Sequence, residues 1–356
     1  MSAPIRTYRI AAIPGDGIGI EVVAAALEVV KAAVKASGSS FEIAVTHFPW
    51  GTAYFKESGS YLPQDFLKTL KGYDAILFGA VGAADVPDHE SLWGLLLKIR
   101  GPMQLYANVR PIRCFTQPRL AMVDASQLDW LLIRENSEGE YSGHGGRSHA
   151  LQDWEVATET SIFTRHGIRR IMRFAFDAAE QRPRKHLTIV SKSNALRHGL
   201  VLWDEVAAEV AAEFPGVTWE KELVDAMTIR MVQKPASIDT VVGTNLHIDI
   251  LSDLAAALAG SIGIASSANL DPTRAYPSMF EPVHGSAFEI TGKGIANPIG
   301  AIWAAADMLA WLGEGESADN IMEAIATVCA RKMLTADMGG SLNTVQVTEE
   351  ICKALF

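Results

Sequence analysis

Two patterns of apolar and polar positions alternate along the chain. Short, nearly continuous apolar runs rich in β-branched residues are typical of buried strands, and they predict strands at 7–13, 73–79, 129–134, 186–191 and 240–244. Longer segments with apolar residues at helical spacing predict helices at 20–36, 165–182, 199–214, 299–312 and 318–333. Strands and helices that alternate in this way predict an α/β fold with a largely parallel sheet.

Length and charge narrow the class of protein. At 356 residues the chain is long enough for one large or two medium domains, and its apolar content of 49% is ordinary for an enzyme with a sizeable core. The net charge of -10 argues against nucleic acid as a partner, because phosphate binding requires a basic surface. An anionic small molecule would need a local group of Arg and Lys side chains.

Neither the N-terminal segment nor the cysteine content indicates a secreted or membrane protein. The first residues lack the apolar stretch of a signal peptide, and no run approaches the roughly 18 apolar residues of a membrane span. The three cysteines, Cys114, Cys329 and Cys352, match neither a disulfide framework nor a zinc site. We therefore expect a cytoplasmic protein without a membrane partner.

A glycine-rich segment follows the first predicted strand. Residues Gly15–Gly19 have the position of a dinucleotide-binding loop, but their spacing is G-x-G-x-G instead of G-x-G-x-x-G. From the residues alone, a structural tight turn and a ligand-binding loop are equally good interpretations.

Several arginines are candidates for binding an anionic substrate. Arg110 lies in the segment YANVRPI, Arg134 ends an apolar strand, and Arg100 precedes both. An Arg at the end of a buried strand needs an anionic partner, and guanidinium groups bind carboxylates in bidentate fashion. Structural ion pairs are the competing interpretation.

Carboxylates in the segment HIDILSDL are candidates for binding a metal ion. Asp249 and Asp253 are four residues apart, so on a helix they share one face, where a cation would offset their repulsion. Oxygen ligands favour Mg²⁺ or Mn²⁺ over zinc, and Asp225 is a candidate third ligand. The competing interpretation is a solvated helix face.

The remaining candidates are proton-transfer groups and loops of small residues. Tyr141 and Lys192 each follow a predicted strand, where α/β enzymes place their sites, and either side chain can transfer protons. Farther along, Glu281–Ala287 and Gly292–Pro298 are rich in small residues, which allow a backbone to approach a flat ligand closely. These two segments indicate a nucleotide site.

Taken together, these segments resemble the β-decarboxylating dehydrogenases, the family of isocitrate, 3-isopropylmalate, D-malate and tartrate dehydrogenases. The resemblance runs in order through IPGDGIG, YANVRPI, RENSEGEYSG, SKSNALRHG, NLHIDILSDL, FEPVHGSA and IANPIGAIW, which span almost the whole chain. It implies an isopropylmalate dehydrogenase-like α/β fold, with two α/β domains around a mostly parallel sheet, and not a standard Rossmann fold. It further implies a discontinuous cofactor-side domain, 1–99 with 255–356, and a domain for substrate, metal and dimerisation at 100–254.

The same resemblance assigns roles to individual residues. Tyr141 and Lys192 match the family's acid–base pair, and a homodimer is implied in which Lys192 and Asp225 act across the interface. The other assignments are substrate-carboxylate arginines Arg100, Arg110 and Arg134, Mg²⁺ or Mn²⁺ ligands Asp225, Asp249 and Asp253, and NAD-binding residues His284, Gly285, Ser286, Ala287 and Asn297. The segment Gly15–Gly19 then borders the cofactor. A monovalent cation is a further candidate that the residues do not decide.

Two local features narrow the prediction of the substrate and of the cofactor. Trp93 occupies a position where isopropylmalate enzymes carry Glu, and its indole leaves little room for an isopropyl group. We therefore predict NAD-dependent oxidation of tartrate, D-malate or both, with β-decarboxylation of D-malate to pyruvate. The family's HGSAPD is HGSAFE here, and Glu289 would still accept hydrogen bonds from ribose hydroxyls, which favours NAD. The alternatives are a 3-isopropylmalate dehydrogenase and a diacid-binding protein without turnover.

Overall fold

The structure of the protein is a computed structural model that describes residues 5–38, 40–116, 124 and 128–356. The strands are β1 (Arg6–Gly15), β2 (Phe41–His47), β3 (Ala75–Ala80), β4 (Ala107–Arg113), β5 (Asp129–Glu135), β6 (Gly139–Ser148), β7 (Val156–Ile162), β8 (His186–Ser191), β9 (Thr218–Leu223), β10 (Thr240–Gly243), β11 (Ser266–Leu270) and β12 (Ser278–Pro282). The helices are α1 (Gly19–Ala36), α2 (Thr52–Ser58), α3 (Phe66–Leu70), α4 (Asp88–Ser91), α5 (Leu97–Arg100), α6 (Arg165–Glu180), α7 (Gly199–Ala211), α8 (Val224–Gln233), α9 (Asn245–Ala259), α10 (Ile299–Leu312), α11 (Gly315–Ala330) and α12 (Thr344–Ala354). A π-helix, Leu92–Leu96, lies between α4 and α5.

The strands and helices predicted from the apolar pattern are confirmed. They correspond to β1, β3, β5, β8 and β10 and to α1, α6, α7, α10 and α11. The differences are at the ends: α7 ends at Ala211, before the predicted 214, and α11 begins at Gly315, before the predicted 318. The first residues of α11 are Gly, Glu and Ser, so apolar spacing could not reveal that turn.

The chain divides into two compact units. Unit 1 consists of Met1–Leu105, Cys114–Arg119 and Ala256–Phe356, and unit 2 consists of Tyr106–Arg113 and Leu120–Ala255. The cofactor and substrate roles that the sequence assigns to the ranges 1–99 with 255–356 and 100–254 stay predictions.

Unit 1 contains strands in the order β2-β1-β3-β12-β11. β1 runs parallel to β2 and β3, β12 runs parallel to β3, and β11 runs antiparallel to β12. Helices α1, α10, α11 and α12 pack against one another beside these strands. Every residue of β3 is buried, which explains why its sequence is a continuous apolar run rather than an alternating one.

Unit 2 contains strands in the order β4-β5-β10-β8-β9. β4 pairs antiparallel with β5, whereas β5, β10, β8 and β9 run parallel to their neighbours. A separate antiparallel pair is formed by β6 and β7. Because parallel strands end at the same edge, the end of β5 and the residues that follow β10, β8 and β9 share one edge of the sheet.

In the described part of the chain, no helix has both the length and the apolar composition needed to cross a membrane.

Candidate active site

Two arginines of unit 2 project from one face of the β4–β5 pair. Arg134, near the end of β5, pairs in register with Asn108 of β4, and Arg110 lies two residues beyond Asn108. Side chains alternate between the faces of a strand, so all three project from the same face. Arg110 and Arg134 are both buried, and the Arg110 Nε donates to the Asn108 Oδ1 at 3.0 Å.

Helix α9 offers these arginines a row of polar partners. Asn245, Asp249 and Ser252 are spaced by four and three residues, which places them on one face of the helix. Arg134 donates from Nε (2.9 Å) and Nη2 (2.6 Å) to the Asn245 Oδ1 and from Nη1 to the Asp249 Oδ1 (2.6 Å). Arg110 donates from Nη1 to the Ser252 Oγ at 2.5 Å, and its Nη2 lies 3.5 Å from the Asp249 Oδ1. Both guanidinium groups are therefore held in fixed orientations.

Tyr141 joins the same group from β6. Its hydroxyl donates to the Asp249 Oδ2 at 3.0 Å, and the Arg134 Cζ lies 5.3 Å from the centre of its ring. The structure thus brings two predicted substrate arginines and the predicted acid together around the carboxylate of one predicted metal ligand, Asp249. We call Arg110, Arg134, Tyr141 and Asp249 the α9 cluster.

Asp253 lies one helical turn beyond Asp249. Although Asp253 is exposed, the protein that crowds its carboxyl raises the pKa of that carboxyl, and the nearby Asp249 adds to the rise. Arg110 and Arg134 act in the opposite direction. The pair of aspartates is the arrangement that the four-residue spacing predicts, and its mutual repulsion is the property that a bound cation would relieve.

Lys192 and Asp225 form a second group in unit 2. Lys192 directly follows β8, Asp225 lies in the first turn of α8, and the Lys192 Nζ donates to the Asp225 Oδ1 at 2.5 Å. This hydrogen bond lowers the pKa of the Asp225 carboxyl. In the described residues no three His, Cys, Asp or Glu side chains are grouped closely enough to hold a metal, so a single chain does not bring Asp225 to Asp249 and Asp253.

The segment that leads to Tyr141 is fixed by a buried carboxylate. Glu135 accepts from the backbone N–H groups of Ser137 (3.0 Å) and Glu138 (2.6 Å) and from the Ser137 hydroxyl (2.5 Å). Burial raises the pKa of Glu135, and these hydrogen bonds oppose the rise. Sequence reasoning missed Glu135 as well as Asn245 and Ser252. The helical spacing of Asn245 and Ser252 from Asp249 was a usable signal for those two residues.

In unit 1, the glycine segment packs directly against the predicted adenosine loop. Gly15 and Gly17 have positive φ angles of 68° and 58°, and a Cβ on Gly17 would lie 2.1 Å from the Ser286 carbonyl oxygen. The Ile18 N–H donates to that same oxygen at 2.9 Å. The segment is therefore a tight turn that adjoins Ser286, whichever ligand the loop binds.

The predicted adenosine-binding residues differ in how they are held. His284 is buried, burial lowers the pKa of its imidazole, and its Nε2 has no hydrogen-bond partner among the described residues. Ala287 has a left-handed backbone (φ 46°) that leads into the short helix Phe288–Ile290, which carries Glu289. Asn297 donates to the Asp337 Oδ2 at 3.0 Å and accepts from the Ile299 N–H at 3.0 Å.

Arg100 and Trp93 also belong to unit 1. Arg100 is buried and donates from Nη2 to Glu281, whose Oε1 also accepts from Asn269 at 2.8 Å. Trp93 lies in the π-helix and is 43% exposed, so its indole is not part of the core. Next to it, a Cβ on Gly94 would lie 2.5 Å from the Tyr61 ring, so the π-helix is packed closely on that ring.

With this fold and these groups of residues in view, the chain was compared with known proteins. It belongs to the isocitrate/isopropylmalate dehydrogenase family, whose model matches residues 9–355. Membership of this family implies in general a nicotinamide cofactor and a divalent metal ion. The predicted family is confirmed.

Individual relatives narrow the resemblance. The chain is 59% identical to a probable tartrate dehydrogenase/decarboxylase of Agrobacterium vitis over 353 residues, which cover 99% of this chain and 98% of that protein. It is 46% identical to the tartrate dehydrogenase/decarboxylase of Pseudomonas putida and to the decarboxylating D-malate dehydrogenase of Escherichia coli, with 99% of each chain covered. The predicted tartrate/D-malate branch is confirmed as the one that the chain resembles.

A solved structure supports the predicted fold class. The crystal structure of isocitrate dehydrogenase from Methylococcus capsulatus superposes with a TM-score of 0.89 at 34% identity and covers 98% of this chain and 99% of that one. The predicted α/β fold of the isopropylmalate dehydrogenase type is confirmed by this match.

Proposed function

We propose that this chain oxidises tartrate, D-malate or both with NAD and a divalent metal ion, and that it decarboxylates D-malate to pyruvate. The observation that carries the proposal is the α9 cluster, in which two buried arginines and a tyrosine hydroxyl converge on one carboxylate. Buried guanidinium groups in fixed orientations are suited to the carboxylates of a small diacid.

The donor set on α9 fits a hard divalent cation. Asp249 and Asp253 supply carboxylate oxygens one helical turn apart, and oxygen-only ligands suit Mg²⁺ or Mn²⁺. When bound, such a cation lowers the pKa of a coordinated substrate hydroxyl. We assign the third ligand, Asp225, to the partner subunit of a homodimer, because one chain does not bring it to the other two.

Exposed apolar residues on the same helices support the homodimer. Ile229 of α8 and Ile250 of α9 are 57% and 55% exposed, and each belongs to a helix that carries a proposed metal ligand. Apolar side chains left on the surface of functional helices are typical of a protein–protein interface. In this arrangement Lys192, which holds Asp225, would reach the site of the partner together with it.

We assign the two proton-transfer roles to Lys192 and Tyr141. Lys192 assists removal of the proton of the substrate 2-hydroxyl, and a bound nicotinamide would supply the hydride acceptor. Tyr141, oriented by its hydrogen bond to Asp249, returns a proton to C3 after the β-carboxylate leaves as CO₂. A substrate that is only oxidised does not need the second step.

The loops of unit 1 fit the adenosine part of NAD. The His284 Nε2 is a buried polar atom without a partner in the described residues, and Gly285, Gly292 and Gly294 have open space where a Cβ would lie. A flat ligand can approach such a surface closely. Glu289 is our candidate for the ribose hydroxyls, and its negative charge would disfavour the 2′-phosphate of NADP.

A substrate panel tests the proposal. Purified protein is assayed for NADH absorbance and for pyruvate with each tartrate stereoisomer, D-malate and 3-isopropylmalate, with Mn²⁺ or Mg²⁺, with and without K⁺. We expect turnover of a four-carbon diacid that stops when EDTA removes the metal. Faster turnover of 3-isopropylmalate would instead favour that specificity. Calorimetric binding of diacids without NADH formation on any substrate would favour a non-catalytic binding protein.

A further inference from the structure

A cavity of about 240 Å³ lies in unit 1, away from the residues assigned above. Three parts of its lining precede or begin strands: Arg6 at the start of β1, residues between Lys71 and Asp74 before β3, and Arg274–Pro277 before β12. The fourth part is the end of α10, at Trp311 and Leu312. Because β1, β3 and β12 are parallel, the first three parts share the amino edge of the strands. Gly15 and His284 lie at the opposite, carboxyl edge, so the cavity is separate from the proposed cofactor loops.

The charge of this cavity contrasts with that of the chain. Three cations line it, Arg6, Lys71 and Arg274, in a protein whose net charge is -10. Over the ranges 5–38, 40–116, 124 and 128–356, none of the three forms an ion pair with a carboxylate. The one acid in the lining, Asp74, accepts from the Arg9 backbone N–H at 2.7 Å, which fixes its carboxylate on β1.

Aromatic rings hold the cations in place. The Arg6 Cζ lies 4.5 Å from the centre of the Tyr8 ring, the Lys71 Nζ lies 5.1 Å from that of Tyr276, and the Arg274 Cζ lies 3.9 Å from that of Trp311. A cation stacked on a ring keeps its charge and presents its remaining N–H groups sideways. The stacking therefore orders the three side chains without neutralising them.

The backbone around Arg274 is held in an uncommon conformation that positions its side chain. Arg274 has a positive φ of 56°, a conformation that is uncommon for residues other than glycine. The turn is held by Asp271, which accepts from the backbone N–H groups of Thr273, Ala275 and Tyr276 at 2.9–3.0 Å. Strained backbone that its surroundings enforce is more common at functional positions than elsewhere.

A structural role at the end of α10 accounts for only one of the cations. The last carbonyls of a helix attract positive charge, and the Arg274 Nη2 donates to the Trp311 carbonyl oxygen at 2.9 Å. The Tyr8 hydroxyl, 2.7 Å from the Glu314 Oε1 and 3.0 Å from the Leu312 carbonyl oxygen, serves the acceptors there instead. Among the described residues, neither Arg6 nor Lys71 donates to this helix end, so the helix end does not account for those two cations.

We propose that this cavity binds a small multivalent oxyanion. Three ordered cations against one fixed carboxylate leave a net positive site, and guanidinium and ammonium groups bind phosphate and carboxylate oxygens. The lining cations are exposed, and the volume is below the roughly 300–1,000 Å³ typical of pockets for drug-sized ligands, so small anions such as pyrophosphate and a tricarboxylate are the suitable probes. The site is independent of the substrate and cofactor assignments.

Calorimetric titration tests this site. Pyrophosphate and, in a separate arm, citrate are added to the full-length protein in a metal-free, low-salt buffer without other multivalent anions. We expect saturable binding of at least one of the two anions that weakens as salt is added. In the double variant Lys71→Gln/Arg274→Gln the affinity should fall by about tenfold or more, because two charge-assisted contacts are lost.

A matched control variant removes a cation from a residue that also has a positive φ angle but lies outside the cavity. Lys332 is an exposed cation with nearly the same positive φ, 58°, outside the cavity, so Lys332→Gln should bind the anion as the wild type does. Unchanged tartrate or D-malate oxidation would show that the double variant is folded. If it does not fold, Arg6→Gln replaces it. Equal affinity in the wild type and the cavity variant, or no binding of either anion up to millimolar concentration, would overturn the proposal.

Discussion

The α9 cluster of unit 2 and the loop Val283–Asn297 of unit 1 are built on different principles. In the cluster, charged side chains from two strands and a helix contact one another, with Arg134 alone making three hydrogen bonds to Asn245 and Asp249. In the loop, the geometry comes from the backbone, with positive φ angles at Ala287, Gly292 and Gly294. The cluster fixes charges, whereas the loop provides space and exposed backbone.

The two units also differ in how they compensate partly buried acids. Asp249 accepts hydrogen bonds from Arg134 and Tyr141 and lies near Arg110, so a single carboxylate has cationic neighbours. In unit 1, Asp307 of α10 accepts from the Ser266 hydroxyl at 2.5 Å, and burial raises its pKa to about 7. A carboxyl compensated by cations stays ionised, and one compensated only by neutral donors favours protonation. The following variants test this contrast.

The largest effect is expected for Tyr141→Phe, which removes the acid of the cluster and keeps its ring. Pyruvate formation from D-malate should fall by about 10²–10⁴-fold, more than hydride transfer does, because protonation at C3 follows CO₂ loss. NADH and pyruvate are measured in the same assay. Tyr106→Phe, whose ring also faces an arginine, is the control. Full pyruvate production by Tyr141→Phe would remove this residue from the mechanism.

Arg134→Met should remove the hydrogen bonds that connect β5 to α9 in the α9 cluster. Removing one partner of a buried hydrogen-bonded charge pair costs roughly 2–5 kcal/mol, so we expect both kcat/KM for the diacid and the melting temperature to fall. Arg173→Met is a matched control, because Arg173 makes two hydrogen bonds to Glu213 on the surface of the same unit. If the two variants lose equal amounts of activity, the cluster has no special role in binding.

Glu289→Lys tests whether the loop selects the cofactor by charge. An acidic side chain repels the 2′-phosphate of NADP and a basic one attracts it, so the ratio of kcat/KM for NAD over NADP should fall by about tenfold or more. Glu323→Lys on the exposed side of α11 makes the same charge change elsewhere. A wild type that uses NAD and NADP equally would contradict the assignment before any variant is made.

Trp93→Ala tests the exposed indole of the π-helix. An additional methylene in an apolar pocket is worth roughly 1–3 kcal/mol, so activity on 3-isopropylmalate relative to D-malate should rise about tenfold. Because Trp93 is 43% exposed, its loss should change the melting temperature little. Trp219→Ala removes another exposed indole, at 40%, as a control. An unchanged substrate ratio would refute the role of Trp93 in specificity.

The smallest effect is expected at Asp307, the carboxyl whose hydrogen-bond donors are neutral. The folded-state pKa of Asp307, about 7, lies above its ordinary value of 3.8, so the folded protein holds a proton that the unfolded chain releases. Its contribution to stability is therefore complete below pH 3.8 and is lost progressively as the pH rises to about 7. Between pH 5 and pH 8 the melting temperature of the wild type should fall by a few degrees relative to Asp307→Asn. Parallel curves for the two proteins would contradict the raised pKa.

The strands that the apolar pattern missed include two groups: β11 and β12 are buried but interrupted by polar residues, whereas β7 and β9 contain no buried residue. β3 and β8 are buried along most of their length and form apolar runs. β7 is exposed along most of its length and β9 along half of it, and their sequences, VATETSI and TWEKEL, contain mainly polar or small residues. An exposed strand is selected by its pairing with a neighbour, and that pairing is not written in its own apolar pattern.

The features of the candidate site also fall into two groups, those that the sequence predicted and those that it did not. The shared helix face of Asp249 and Asp253 follows from a spacing of four residues, and the tight turn at Gly15–Gly19 follows from glycine, so both could be predicted from the chain itself. The contacts of Arg134 with Asn245 and Asp249 join residues more than a hundred positions apart. No local pattern encodes such a contact, because only the tertiary fold brings α9 within reach of Arg134. Local spacing thus determined which side chains share a face, and the tertiary fold alone decided which charges meet.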